Sequence, residues 1–432
     1  MPRTAEAGLI VAASGLATLG VVLVGLAAGT GFDARAGLTF LMFLIAFGGL
    51  HLAIRQTAPN ANTLLLPLAA LLSAIGLTVV YRLDPARAGL QRWWLLIGAG
   101  LSIGLLLLVR KSGLALLRRY RYIFLLAAIA LLLLPLLPSN GPLPLQGFEQ
   151  NGSRLWVRLV LGPLTLQFQP GEIAKLLLVV FLASFLAERA PALAEGSRRL
   201  GPLTLPELRQ LVPVLAAWAA SFVVLVYQRD LGASLLLFGV FVAMLYVATG
   251  RAMYVLGGVG LALGGAVVAW AAFDHVQRRV TAWLDPFADY ADSGYQIAQS
   301  LFAMASGSLS GAGLGLGRPD LIPNASTDFV FAAIGEELGL AGTAATLAAF
   351  ALLVGIGFGI SLRSRDPFRK LLAAGLAVTL GLQTFLIIGG VVRLLPLTGL
   401  ALPFVSYGGS SLVSSLLLVT LLARISHEER LG

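Results

Sequence analysis

Cysteine is absent, so no disulfide can staple this chain and no thiolate can hold a metal; the redox compartment is unreadable from that count. Three histidines leave little for a His-rich metal centre. Charge is scarce as well, with 12% charged against 58% hydrophobic residues in 432, a balance that excludes an ordinary water-soluble domain. No internal repeat and no low-complexity tail stands out. What the chain does have is apolar runs of about 20 residues, each enough to cross a bilayer as helix, repeated along nearly the whole length. A single-span anchor is excluded by that repetition. The net charge of +10 is read as basic loops retained in the cytoplasm, and nucleic acid is not expected as a partner.

The spacing of apolar runs predicts an all-α polytopic membrane protein with about twelve transmembrane helices. They fall near 8–30, 36–54, 63–81, 91–109, 120–137, 171–187, 208–227, 230–249, 251–273, 329–361, 371–392 and 401–423. The first run has no small-residue cleavage site and leads straight into further spans, so it reads as a retained helix. The long run at 329–361 is expected to include a helical extension or a re-entrant turn. Lys and Arg fall moderately more often on the side that also holds the N-terminus, including Arg110, Lys111, Arg118, Arg119 and Arg121, and Arg363, Arg365, Arg369 and Lys370. That orientation puts loops 138–170 and 274–328, and the short loop from Arg393 to Pro403, outside. One membrane domain is the simplest partition of the chain.

The chemistry-bearing residues gather in those outer loops. Asn151 to Arg158 supplies Arg154 and Arg158, ahead of Phe168 to Lys175, where Pro170 suits the first turn of a helix. Glu172 and Lys175, three apart, share a helix face and either neutralise each other or line a polar cavity. In Gln228 to Gly232, Asp230 stands at a helix start, where a carboxylate caps more readily than it catalyses. The 274–328 loop carries Arg278, Arg279, Tyr295-Gln296, a glycine-rich stretch from Gly307 to Gly317, Arg318, and Thr327-Asp328-Phe329. Its glycines can offer N–H groups to an anion or simply form a close-packed turn. Asp328 ends the polar loop where an apolar run begins. Partial burial there would raise its pKa and make it a proton acceptor, whereas N-capping is the competing use. Glu336 and Glu337, two turns deeper, face a cavity or hold the helix register. Pro396 to Ser411 sets prolines, glycines and hydroxyls, Ser406 among them, at the start of the last span.

Four of these segments, occurring in this order, resemble the SEDS family of RodA, FtsW and SpoVE: Phe168 to Lys175, Gln228 to Gly232, Thr327 to Gly339, and Pro396 to Ser411. The likeness covers roughly residues 63–425. It departs at Gly171, where the family often has serine, and at Ile387 and Arg393, which replace a common asparagine and glycine. The resemblance implies a membrane core of ten spans (63–425), preceded by a two-span N-terminal extension (1–62) and followed by a cytoplasmic tail (426–432). It also implies a peptidoglycan glycosyltransferase that polymerises lipid II, the disaccharide-peptide carried on undecaprenyl pyrophosphate. It further implies a multi-pass protein of the bacterial cytoplasmic membrane, active on its outer face beside a class B penicillin-binding protein. Asp328 matches the family's loop aspartate and is expected to act as general base. Arg154, Arg158, Arg279 and Arg318 are candidates to stabilise the leaving pyrophosphate, with a divalent cation (Mg or Mn) as candidate cofactor, and Glu172, Lys175, Gln296 and Ser406 complete the substrate-binding set. The rival readings are a lipid-linked precursor flippase or transporter and a non-catalytic scaffold for a cell-wall synthase.

Overall fold

The computed structural model describes residues 2–31, 34–139, 144–150, 153–161, 164–195, 198–200, 203–205, 219, 228 and 230–430. They form two compact units: one holds 1–110, 266–356 and 383–432, the other 111–265 and 357–382. Among the described residues ten helices are long and apolar enough to cross a membrane. The expected span near 120–137 is a shorter apolar helix, and the one at 208–227 lies outside the described residues.

The first unit begins with α1 (Arg3–Ala27), α2 (Ala34–Thr57), α3 (Leu65–Leu83) and α4 (Pro85–Ser112), with α1 packed on both α2 and α3. Its polar anchors lie at the helix ends. Arg3 donates to the carbonyls of Ala58 and Ala61 at 3.0 and 3.1 Å, just beyond α2, and pairs with the buried Glu6. A close approach is needed on α3, where a Cβ on Gly76 would meet the backbone of Phe404 and Val405.

The second unit starts with α5 (Ala115–Arg119) and α6 (Arg121–Leu133), which ends in a 3-10 turn at Pro135. The loop expected at 138–170 is in fact a three-stranded antiparallel sheet, β1 (Leu145–Gln150), β2 (Ser153–Leu161) and β3 (Leu164–Phe168), in the order β1-β2-β3. Strand register pairs Phe148 with Trp156 and Arg158 with Gln167. Period-two alternation explains it: Val157 is buried while Arg154 and Arg158 share the opposite face. Then α7 (Pro170–Glu195) starts at the anticipated proline. A short pair follows, β4 (Arg198–Leu200) and β5 (Leu203–Leu205), and then α8 (Leu231–Thr249). Ala128 and Leu132 of α6, Ala174 and Leu178 of α7 and Leu237 of α8 form an apolar cluster.

Helix α9 (Ala252–Ala272) has large apolar side chains on its surface, Leu256 at 73% and Leu261 at 72% exposed, as suits a helix whose solvent is lipid. The long segment after it is not a bare loop. It contains α10 (Asp274–Leu284), α11 (Tyr295–Gly307) and a 3-10 turn at Pro319–Leu321. The last three helices are α12 (Val330–Arg363), α13 (Pro367–Val391) and α14 (Gly409–Glu429). The long run, expected to include a helical extension or a re-entrant turn, is interrupted at Gly339, with φ 65° and ψ −162°, a left-handed conformation that glycine alone adopts without strain.

Candidate active site around Asp328

A tight turn at Asn324 (φ 57°) leads into the segment that carries Asp328, with the N–H groups of Thr327 and Asp328 both donating to the Asn324 carbonyl, at 3.0 and 3.1 Å. Asparagine is one of the few side chains that accepts this backbone conformation. Two carbonyls ahead of Asp328 are then fixed from far along the chain. The Tyr407 N–H donates to Ser326 O at 2.7 Å, and the Ser406 hydroxyl donates to Thr327 O while accepting from Leu402 N–H at 3.0 Å. Arg87 adds a third tie, since its Nη1 donates to Ser326 Oγ at 2.9 Å and its guanidinium lies 5.4 Å from the Tyr407 ring centre. Gln91 Nε2 reaches Ser406 O at 3.4 Å.

The carboxylate itself is not used to cap the helix that follows. Helix α12 begins on the Phe329 carbonyl, which accepts from Ala332 and Ala333 at 2.9 and 3.2 Å, and among the described residues no backbone N–H donates to the Asp328 side chain. The capping use is therefore not realised. Burial pushes the Asp328 carboxyl above the ordinary aspartate range, opposed by the Thr327 hydroxyl and by the positive charge of Arg279. Arg279, on α10, is steadied by a bond from its Nη1 to Leu397 O at 3.3 Å.

The glycine-rich stretch forms a close-packed turn against the helix break. Where Gly339 interrupts α12, the freed carbonyls of Glu336 and Glu337 accept the N–H groups of Ala312 and Gly313 at 2.9 and 3.0 Å, and the N–H groups of Leu340 and Ala341 donate to Ser308 and Leu309. The carboxylates are held in the same way. Glu336 accepts from Arg318 N–H at 2.6 Å, and Glu337 accepts from Gly315 N–H at 3.1 Å and from Arg82 Nε at 2.9 Å. Arg82 also donates to Gly317 O at 2.9 Å. A side chain on Gly311 (φ 81°) would collide with the backbone at Glu337 and Gly339, so this wrap requires glycine. Glu336 and Glu337 thus hold the start of α12 in register.

Of the anticipated residues, the first unit brings Asp328, Arg279 and Ser406 into one neighbourhood. Arg318 stands apart, its exposed guanidinium 3.5 Å from Asp320, and the partly buried Gln296 of α11 makes no side-chain hydrogen bond among the described residues. The second unit holds the others. Glu172 and Lys175, both buried, pair at 2.9 Å; Arg154 lies 3.8 Å from Glu149; Arg158 stacks 5.2 Å from the Phe148 ring centre. Asp230 caps α8 by accepting from Ala233 N–H at 2.9 Å. Arg82, Arg87 and Gln91 were not singled out from the sequence. Only partners hundreds of positions away distinguish them from ordinary residues at span edges.

These features define a polytopic helical membrane protein that fixes a partly buried, uncapped carboxylate at the start of a long helix. The FtsW/RodA/SpoVE model, described as cell cycle protein, matches residues 61–431, and the chain belongs to that family. It is 45% identical to the peptidoglycan glycosyltransferase RodA of Mycobacterium tuberculosis over 90% of this chain and 83% of that protein. Against the probable peptidoglycan glycosyltransferase FtsW of Geobacter metallireducens the identity is 37%, over 72% and 77%. Among solved structures, a chain from a study of how a peptidoglycan synthase complex coordinates polymerization and crosslinking superposes with a TM-score of 0.67 at 26% identity, covering 86% of this chain and 99% of that one. The rod shape determining protein RodA of Thermus thermophilus gives 0.59 at 26% identity, over 86% and 98%.

Proposed function

We propose that this peptidoglycan glycosyltransferase polymerises lipid II on the outer face of the bacterial cytoplasmic membrane, with Asp328 as general base. The acceptor sugar's 4-hydroxyl oxygen attacks the anomeric carbon of the donor as its proton passes to the Asp328 carboxylate. The bond from that carbon to the pyrophosphate oxygen breaks, and its electron pair leaves with undecaprenyl pyrophosphate. Displacement of an α-linked pyrophosphate to form a β bond inverts the centre in one step, so no glycosyl-enzyme forms. The observation that carries this reading is the state of Asp328: its carboxylate is free of the helix start it adjoins, raised in basicity by burial, and set on a backbone that Ser406 and Tyr407 hold.

Arg279 is the cation that acts beside Asp328 in this reading, while in the second unit Arg154 and Arg158 contribute cationic surface and Glu172 and Lys175 form a buried ion pair. Among the described residues no group of three or more His, Cys, Asp or Glu stands together, and no step is assigned to a metal ion. A class B penicillin-binding protein is the partner this reading favours, since a structural neighbour belongs to a complex that couples polymerization to crosslinking.

Polymerisation of labelled lipid II by purified protein tests the chemistry. The parent is expected to make glycan chains and Asp328→Ala none, which also separates a polymerase from a flippase or a scaffold; equal products from both would overturn it. Sidedness has its own test, because the chain lacks cysteine. A single Asp320→Cys, on the exposed turn before Asp328, should react with a membrane-impermeant maleimide on intact cells. Labelling only after the membrane is opened would place the site on the wrong side.

A further inference from the structure

Just beyond α13, Arg393 stands at φ 60°, a left-handed conformation that favours glycine and is uncommon for arginine. The turn closes the helix. Arg393 N–H donates to Gly390 O at 3.2 Å, and the N–H groups of Leu394 and Leu395 donate to Gly389 O at 2.7 and 3.0 Å. A glycine would make the same turn without strain, so the arginine is explained by what its side chain reaches. Its Nε donates to Trp283 O at 2.8 Å and its Nη2 to Leu284 O. These are the last two carbonyls of α10, left without a partner inside the helix, and a cation is favoured at that negative end. The contact is reciprocal, because Trp283 Nε1 donates to Arg393 O at 3.1 Å.

Trp283 and Arg279 are four residues apart on α10 and share one face of it. That face meets a single segment, since Arg279 Nη1 donates to Leu397 O at 3.3 Å, four residues after Arg393. The 393–397 segment therefore holds α10 at two successive turns. At Arg279 the hold is one long bond to a carbonyl, whereas at the helix end it is two donors from Arg393 and one returned by Trp283. The end fixes the rotation and the advance of the helix, and the Arg279 guanidinium follows. We infer that Arg393 is a positioning residue for the reaction: its clasp on the end of α10 sets where Arg279 stands beside Asp328. The inference rests on the general-base reading of Asp328, and Arg393 acts through Arg279.

Arg393→Gly removes the side-chain donors and keeps a backbone that suits the turn, so its unfolding midpoint should stay within about 2 °C of the parent's. The readout is the pH profile of lipid II polymerisation by the purified full chain. The charge that favours the ionised Asp328 carboxyl is Arg279's, and displacing it should move the acid limb of the profile to higher pH, in the direction expected of Arg279→Ala. At a fixed pH on that limb the rate should fall about threefold, with the plateau within about twofold of the parent. Added to Arg279→Ala, Arg393→Gly should move the limb no further, because both act through one guanidinium. A limb that stays in place, a loss equal at every pH, or a further shift in the double variant would overturn the role of Arg393. Failure of the base itself looks different: Asp328→Asn would then polymerise lipid II as the parent does.

Discussion

Asp230 and Asp328 occupy the same place in the sequence pattern, each a lone carboxylate where a polar stretch gives way to an apolar helix, and the fold employs them in opposite ways. Asp230 accepts from Ala233 N–H at 2.9 Å, and its carbonyl receives the Ser234 hydroxyl at 2.8 Å, so the start of α8 is organised from within. At α12 the organisation comes from elsewhere. Ser406, Tyr407 and Arg87 hold the backbone ahead of Asp328, and the 308–318 turn with Arg82 holds Glu336 and Glu337 behind it. When remote segments fix a helix start, its carboxylate is released from capping. The distinction between a structural and a chemically available aspartate lies in where the backbone finds its partners.

The sharpest way to break this contrast is Asp328→Asn. Loss of a general base costs roughly 10²- to 10⁴-fold in rate. Because no helix N–H depends on the carboxylate, thermal unfolding in detergent should stay at or above that of the parent. A variant that polymerises lipid II within tenfold of the parent, or one that unfolds early, would return Asp328 to the structural class. Next in size is Arg82→Ala, which strands Glu337, 2% exposed, without its cation. Breaking a buried pair by removing one partner costs about 3–5 kcal/mol, toward the lower end here because Arg82 is partly exposed and Gly315 N–H remains on Glu337. The measurement is the unfolding midpoint, and a shift no larger than that of the exposed Arg55→Ala would show that the remote hold contributes little.

The same division explains what could be read from the chain alone. Apolar runs gave most of the spans because a bilayer-crossing helix is defined by its own composition, and Pro170 and Asp230 marked helix starts because their effect reaches only three or four residues. The pairing of Glu172 with Lys175 was legible for the same reason. The sheet at 145–168 was missed: its alternation is short and interrupted by glycines, and a pass for long apolar runs treats it as loop. Arg82 was missed because Glu337 lies 255 positions away, and the glycine stretch kept its anion-binding reading because the anions it binds, Glu336 and Glu337, belong to a helix break whose position no local pattern reveals. Family resemblance located Asp328, but only the fold shows how the carboxylate is kept from capping α12.

A smaller effect sharpens the local side of the contrast. Asp230→Ala should cost about 1 kcal/mol of stability, the usual value of an N-cap, while Asp230→Asn should stay within a few tenths because its amide oxygen still caps. Unfolding midpoints of the two variants, compared with Arg82→Ala, rank local against remote organisation of a helix start. If Asp230→Ala costs as much as Arg82→Ala, the cap is not the main thing Asp230 does.

The finest prediction concerns pH and involves no change in fold. A general base works only when ionised, so polymerisation must fall as pH drops through the Asp328 pKa, and burial sets that limb above the range of an ordinary exposed aspartate. Arg279 acts against burial by favouring the charged form. Removing it in Arg279→Ala raises the pKa further, so the acid limb of the rate profile should move to higher pH while Arg279→Lys holds it near the parent's position. An unmoved limb in Arg279→Ala, with activity reduced equally at every pH, would mean that Arg279 serves the site through its bond to Leu397 and not through its charge on Asp328.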